Sequence, residues 1–88
     1  MAKRITLDVY SDPGHAWVKI PVARLEKLNI RDRISSYSYQ RNGTAYLEED
    51  LDAMILVTEL KSRGYEVKFR EFNTDKRSKI RSYETFKK

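Results

Sequence analysis

Eighty-eight residues make one small domain, and the absence of cysteine leaves apolar packing alone to hold it. Disulfides, thiolate zinc sites, iron–sulfur ligation and a cysteine nucleophile are excluded, and a deep lidded substrate cavity would consume much of so small a core. The net charge is +5 and the pI about 9.6, and +4 of that charge lies in residues 73–88. An anionic partner for this segment is one expectation, and a solvated, solubilising tail is the other.

The longest apolar stretch, Ala53 to Val57, is far too short to span a bilayer. The start Met1-Ala2-Lys3-Arg4 has no apolar leader block, so the cytoplasm is the expected compartment and no membrane partner is expected. Ile5, Leu7 and Val9 alternate with Arg4, Thr6, Asp8 and Tyr10, the period of a half-buried strand. Asp12-Pro13-Gly14-His15 fits a type II turn, with the positive φ at Gly14, and Ala16 to Ile20 forms a second strand beyond it. Pro21 suits the first position of a helix that carries Val22, Leu25 and Leu28 on one face and stops at Asn29.

Asn42-Gly43 is a preferred type I′ pair. It sets Arg41 opposite Thr44, Gln40 opposite Ala45 and Tyr39 opposite Tyr46, with Tyr37, Tyr39 and Tyr46 on one hairpin face. Asp50 is the expected N-cap of a second helix, with Asp52 in its first turn, an apolar stripe through Ala53, Leu56, Val57 and Leu60, and Gly64 as its stop. Tyr65, Val67 and Phe69 then alternate as a strand. The segment from residue 73 onward has two readings: extended, the one favoured, with Arg77, Lys79, Arg81 and Tyr83 on one side, or helical, with Arg77, Ile80, Arg81 and Glu84 clustered. The expected fold is α+β: a single small domain over 1–88, a mainly antiparallel sheet with two helices, order β-β-α-β-β-α-β, and a basic C-terminal segment over 73–88.

His15 is the only histidine and stands close to Trp17. A lone histidine without cysteine argues against a transition-metal site, and no cofactor is expected. As a general base it would need a carboxylate such as Asp8 or Asp12; otherwise it is a turn histidine, or stacks on a nucleotide. Tyr37, Tyr39 and Tyr46 beside Arg41 read either as cross-strand packing or as a stacking platform for nucleotides or single strands. Glu48, Glu49, Asp50 and Asp52 read as helix-start charges, because their spacing matches no calcium loop. Arg77, Lys79, Arg81 and Tyr83 mix phosphate-donor groups with an aromatic ring. The expected ligand-binding set is therefore His15, Trp17, Tyr37, Tyr39, Arg41, Tyr46, Arg77, Lys79, Arg81 and Tyr83, with no catalytic residue and no metal ligand.

Four strings, Ser11-Asp12-Pro13-Gly14-His15-Ala16-Trp17, Ser36-Tyr37-Ser38-Tyr39-Gln40, Tyr46-Leu47-Glu48-Glu49-Asp50 and Ser78-Lys79-Ile80-Arg81-Ser82-Tyr83, span most of the chain. On these the sequence resembles a family of small proteins carried by bacteriophages and prophages. The resemblance brings no activity. It implies a context: a small accessory protein in the bacterial host cytoplasm, of the kind that interferes with host machinery or defence. The leading expectation is a non-enzymatic protein that binds an anionic ligand, nucleic acid or a signalling nucleotide, to counter host defence. The alternative is an inhibitor that binds a host enzyme or defence complex, with homodimerisation open. A small His15-dependent hydrolase or nuclease ranks third.

Overall fold

The computed structural model describes residues 3–87. A central strand β1 (Lys3–Ser11) pairs with β2 (Ala16–Pro21) through the Asp12–His15 turn. Helix α1 (Val22–Lys27) and a 3-10 turn (Arg31–Arg33) lead to the hairpin β3 (Tyr39–Arg41) and β4 (Thr44–Glu48). Helix α2 (Asp52–Ser62) leads to β5 (Tyr65–Asn73), and a second 3-10 turn (Lys79–Ser82) precedes β6 (Glu84–Thr85). The six strands form one sheet in the order β5-β1-β2-β4-β3-β6. All pairings are antiparallel except β1 with β5, so the α+β class and the element order follow the sequence expectation. No helix is long and apolar enough to cross a membrane among the described residues.

Strand alternation divides the sheet into two faces. Leu7, Val18, Ile20, Ala45 and Leu47 are buried on one face against Leu25 and Leu28 of the α1 segment and Ala53, Leu56 and Leu60 of α2. The opposite face carries Tyr10, Trp17, Lys19, Tyr39 and Tyr46 by register. The hairpin registers at Tyr39–Tyr46, Gln40–Ala45 and Arg41–Thr44 match the type I′ expectation, with φ of 51° at Asn42 and 78° at Gly43. Asn29 (φ 60°) and Gly64 (φ 86°) stop the two helices as expected.

Several local expectations are corrected. Gly14 does not adopt a positive φ; the turn closes instead by Asp12 Oδ1 accepting from the Gly14 and His15 amides. Pro21 ends β2 and precedes α1 rather than opening it. Glu48, not Asp50, caps α2: its carboxylate accepts from the Asp50, Leu51 and Asp52 amides. Tyr37 lies before β3 and outside the hairpin strands.

The largest correction concerns the C-terminal segment. It is neither fully extended nor appended to a finished fold. β5 and β6 are the opposite edges of the sheet, so residues 74–83 cross its full width, five strand spacings or about 24 Å. The crossing runs over the face away from the helices, where Arg81 lies over Trp17 and Tyr83 packs on Tyr46. Ile80 (3 % exposed) and Phe86 (2 %) are buried, and Phe86 belongs to the main core. A fold ending at Phe72 would lose one strand and two core side chains. Lys88, counted with the basic segment, lies outside the described residues, as do Met1 and Ala2.

Candidate functional site

The strap formed by residues 74–83 is fastened at one carboxylate. Asp12 Oδ2 accepts from Arg81 Nε at 2.6 Å and from the Ser78 amide at 2.9 Å, and Oδ1 accepts from Arg81 Nη2 at 2.8 Å. With the Gly14 and His15 amides, five donors converge on a carboxylate that is 1 % exposed. Arg81 foremost, then the Ser78 amide, hold Asp12 ionised far below the ordinary carboxylate range. The same bond pushes the Arg81 guanidinium up. A Cβ on Gly14 would stand 2.7 Å from Arg81 Nη2, so glycine serves here for close approach rather than for backbone freedom.

The strap separates two clefts. The first, about 440 Å³, is aromatic and lies between the β1–β2 turn and the start of α2. His15, Trp17, Tyr37 and Tyr39 meet there with Arg81, Glu48, Asp50 and Leu51. Trp17 is buried, edge-on to Tyr39 at 6.3 Å and beneath the Arg81 guanidinium at 5.4 Å. Its ring is thus already covered. Tyr37 is 79 % exposed and His15 is also exposed, leaving these two as its accessible rings. Burial raises the Glu48 carboxyl, but the amides of Asp52, Asp50 and Leu51 outweigh it and leave the group below its ordinary pKa. Arg81 and Glu48 are therefore committed to internal partners, and the remaining charge, Asp50, is an exposed carboxylate.

Behind the aromatic cleft, the buried Asp52 Oδ2 accepts from the Ser35 amide and from the Ser35 and Ser38 hydroxyls. Ser38 Oγ in turn accepts from the Glu48 amide at 3.0 Å. This network fixes the approach to β3 against the start of α2, which sets the position of Tyr37 and Tyr39.

The second cleft, about 490 Å³, is polar and lies where the tip of the β3–β4 hairpin, the start of α1 and the end of the strap converge. Arg31, Gln40, Arg41, Asn42, Ser82 and Tyr83 line it. The Arg41 guanidinium sits 5.0 Å over the Tyr83 ring and has no carboxylate partner among the described residues. Arg31 Nη1 donates to Glu26 at 2.9 Å, while its Nε is buried without a partner. Glu84 lines the cleft as well; it accepts from Gln40 Nε2 at 2.8 Å and lies 3.9 Å from Lys87 Nζ. Tyr83 also packs on Tyr46 at 5.1 Å. Burial first, then the Tyr83 and Tyr10 rings, push the Tyr46 phenol up, so it remains a neutral donor.

The ten residues singled out in the sequence thus divide. His15, Trp17, Tyr37, Tyr39 and Arg81 meet in the aromatic cleft; Arg41 and Tyr83 meet in the polar one, backed by Tyr46. Arg77 lies beside Pro13 and Gly14 on the outer side of the clasp, and Lys79 is exposed on the 3-10 turn, so neither lines the two main clefts. Sequence reasoning missed the polar side chains Arg31, Gln40, Asn42, Ser82 and Glu84. Arg31 carries a usable signal: it follows the left-handed stop at Asn29, a position that turns the chain back toward the hairpin. Asp8 and Asp12, the carboxylates considered for His15, are held instead by Arg70 and Arg81. No group of three or more metal-ligating side chains gathers among the described residues. No family model, curated protein or solved structure matches the chain.

Proposed function

We propose that this protein binds a phosphate-bearing ligand, a nucleotide or the end of a single strand, in the polar cleft. One observation carries the reading: Arg41 lines the cleft over the Tyr83 ring with no carboxylate partner among the described residues, beside Arg31, whose Nη1 is on Glu26. A guanidinium without a carboxylate partner can give its N–H donors to phosphate oxygens in charge-assisted hydrogen bonds. Asn42 adds a neutral polar group, while Gln40 Nε2 and the Ser82 hydroxyl already donate to Glu84 and to the Lys79 carbonyl, and the cleft has room for a mononucleotide. Arg41 fixed on Tyr83 is pre-oriented, which lowers the entropy lost on binding.

In this reading the protein is a binding module and not an enzyme, and the phage-like strings make it an accessory protein that sequesters or senses a host nucleotide or strand. Calorimetric titration with nucleoside mono-, di- and triphosphates and with short oligonucleotides, across a salt series, tests it. Binding should weaken with salt, more steeply for longer oligonucleotides if a strand is the ligand. Failure of every phosphate ligand to bind at low salt would sink the reading, as would unchanged binding in Arg41→Glu.

A further inference from the structure

The two edges of the sheet are unequal. β6 offers two residues, whereas β5 offers nine, paired on one side to β1 and open on the other. A long open edge presents unpaired backbone donors and acceptors, and proteins normally shorten or cover it. Here it also exposes apolar rings: Phe69 is 51 % exposed, beside an apolar cleft of about 330 Å³ that it shares with Ala53, Met54 and Val57.

We infer that the β5 edge is a homodimer interface in which β5 pairs antiparallel with β5 of a second copy, centred on Val67. The two-fold symmetry is restrictive. An axis perpendicular to the sheet keeps each face on its own side, so it must pass through a residue that faces itself. Centring on Lys68, Arg70 or Glu71 sets a charge against its own twin, and centring on Phe69 sets Lys68 against Arg70. Like charges directly opposite are destabilising.

Centring on Val67 alone among residues 67–71 avoids this. It places Glu66 opposite Lys68 twice, and Tyr65 opposite Phe69 twice. The first pairs lie on the strap side of the sheet and match in sign. The second lie on the helix side and cover the exposed Phe69 with an aromatic partner. Charge complementarity and apolar cover thus select the same register, and both favour a second copy of this chain as the occupant.

Sedimentation equilibrium should find the chain at twice its 10.5 kDa mass. Lys68→Glu and Glu66→Lys should each weaken association by about tenfold or more, since each turns two attractive pairs into two repulsive ones. Mixed one to one, the two variants should restore a heterodimer, because two carboxylates on the first chain then face two ammonium groups on the second. Val67→Cys should form a disulfide on mild oxidation, its twin lying about 4.5–5.5 Å away between Cα atoms. Phe69→Cys should not, because its twin lies four residues along, about 13 Å off. A chain that stays monomeric into the millimolar range overturns the inference, and so does a mixture of the two charge variants that fails to associate. Ready oxidation of Phe69→Cys without that of Val67→Cys overturns it as well.

Discussion

The two clefts that flank the strap contain similar residue types and differ in what those residues have left to offer. In the aromatic cleft, Arg81 is bonded twice to Asp12 and stacked on Trp17, and the Glu48 carboxylate is spent on three amides at the start of α2. In the polar cleft, Arg41 has an aromatic seat and no counter-ion among the described residues, while Arg31 is held by Glu26. Counting cations would rank the clefts by number. Following each donor to its acceptor ranks them by spare capacity, and that favours the polar cleft as a binding site and the aromatic one as a clasp.

The strongest test removes the anchor both clefts share. Phe86→Ala should cost about 3–5 kcal/mol, as other buried Phe→Ala changes do. It should lower the denaturation midpoint sharply and abolish ligand binding with it. A small loss would mean that the strap and β6 are dispensable. Asp52→Ala should cost roughly 3 kcal/mol by leaving the Ser35 and Ser38 donors buried and unpaired. At temperatures where this variant remains folded, the Trp17 emission spectrum should shift, with a smaller fall in ligand affinity, since the network lies directly behind the aromatic cleft and reaches the polar one only through β3.

Asp12→Asn separates clasp from fold more finely. Asp12 and Glu48 both have pKa values lowered in the folded state, so their stabilisation is present above the ordinary carboxylate pKa of about 4 and is lost as pH falls below it. Melting temperature should therefore fall on acidification below that value, and the fall should be shallower in Asp12→Asn. At neutral pH, amide exchange in residues 74–83 should quicken in the variant. Identical acid limbs would argue against the clasp. Arg41→Ala should change stability least, within about 0.5 kcal/mol as expected for an exposed position, while weakening phosphate binding at least tenfold.

Much of the fold is legible in the sequence because its signals are local. Alternation marks β1 and β5, and the Asn42-Gly43 pair sets the hairpin register. The parallel pairing of β1 with β5 is not legible, since no local pattern links residues 62 positions apart. The role of Gly14 is hidden too: the sequence shows a Pro-Gly turn but not the guanidinium that presses against it from Arg81. For the same reason the basic segment reads as a free charged tail. Its alternation is visible, but the burial of Ile80 and Phe86 and the meeting of Arg81 with Asp12 depend on the chain returning across the whole sheet. At the site, the residue types are recognisable and their division into two clefts is not, because it follows from which side of the strap each one falls.

The pairing of β1 with β5 has a kinetic consequence. β1 acquires its β2 partner by closing a short turn, yet its other edge waits for a strand whose start lies 62 residues along the chain. Contacts of such separation slow folding, since loop entropy must be lost before they form. During that interval β1 is itself an open, apolar edge. Refolding at high protein concentration should therefore divide between native chains and aggregates nucleated on β1. That division should favour the native chain on dilution, and in the finished fold β5 covers β1 and takes its place as the open edge.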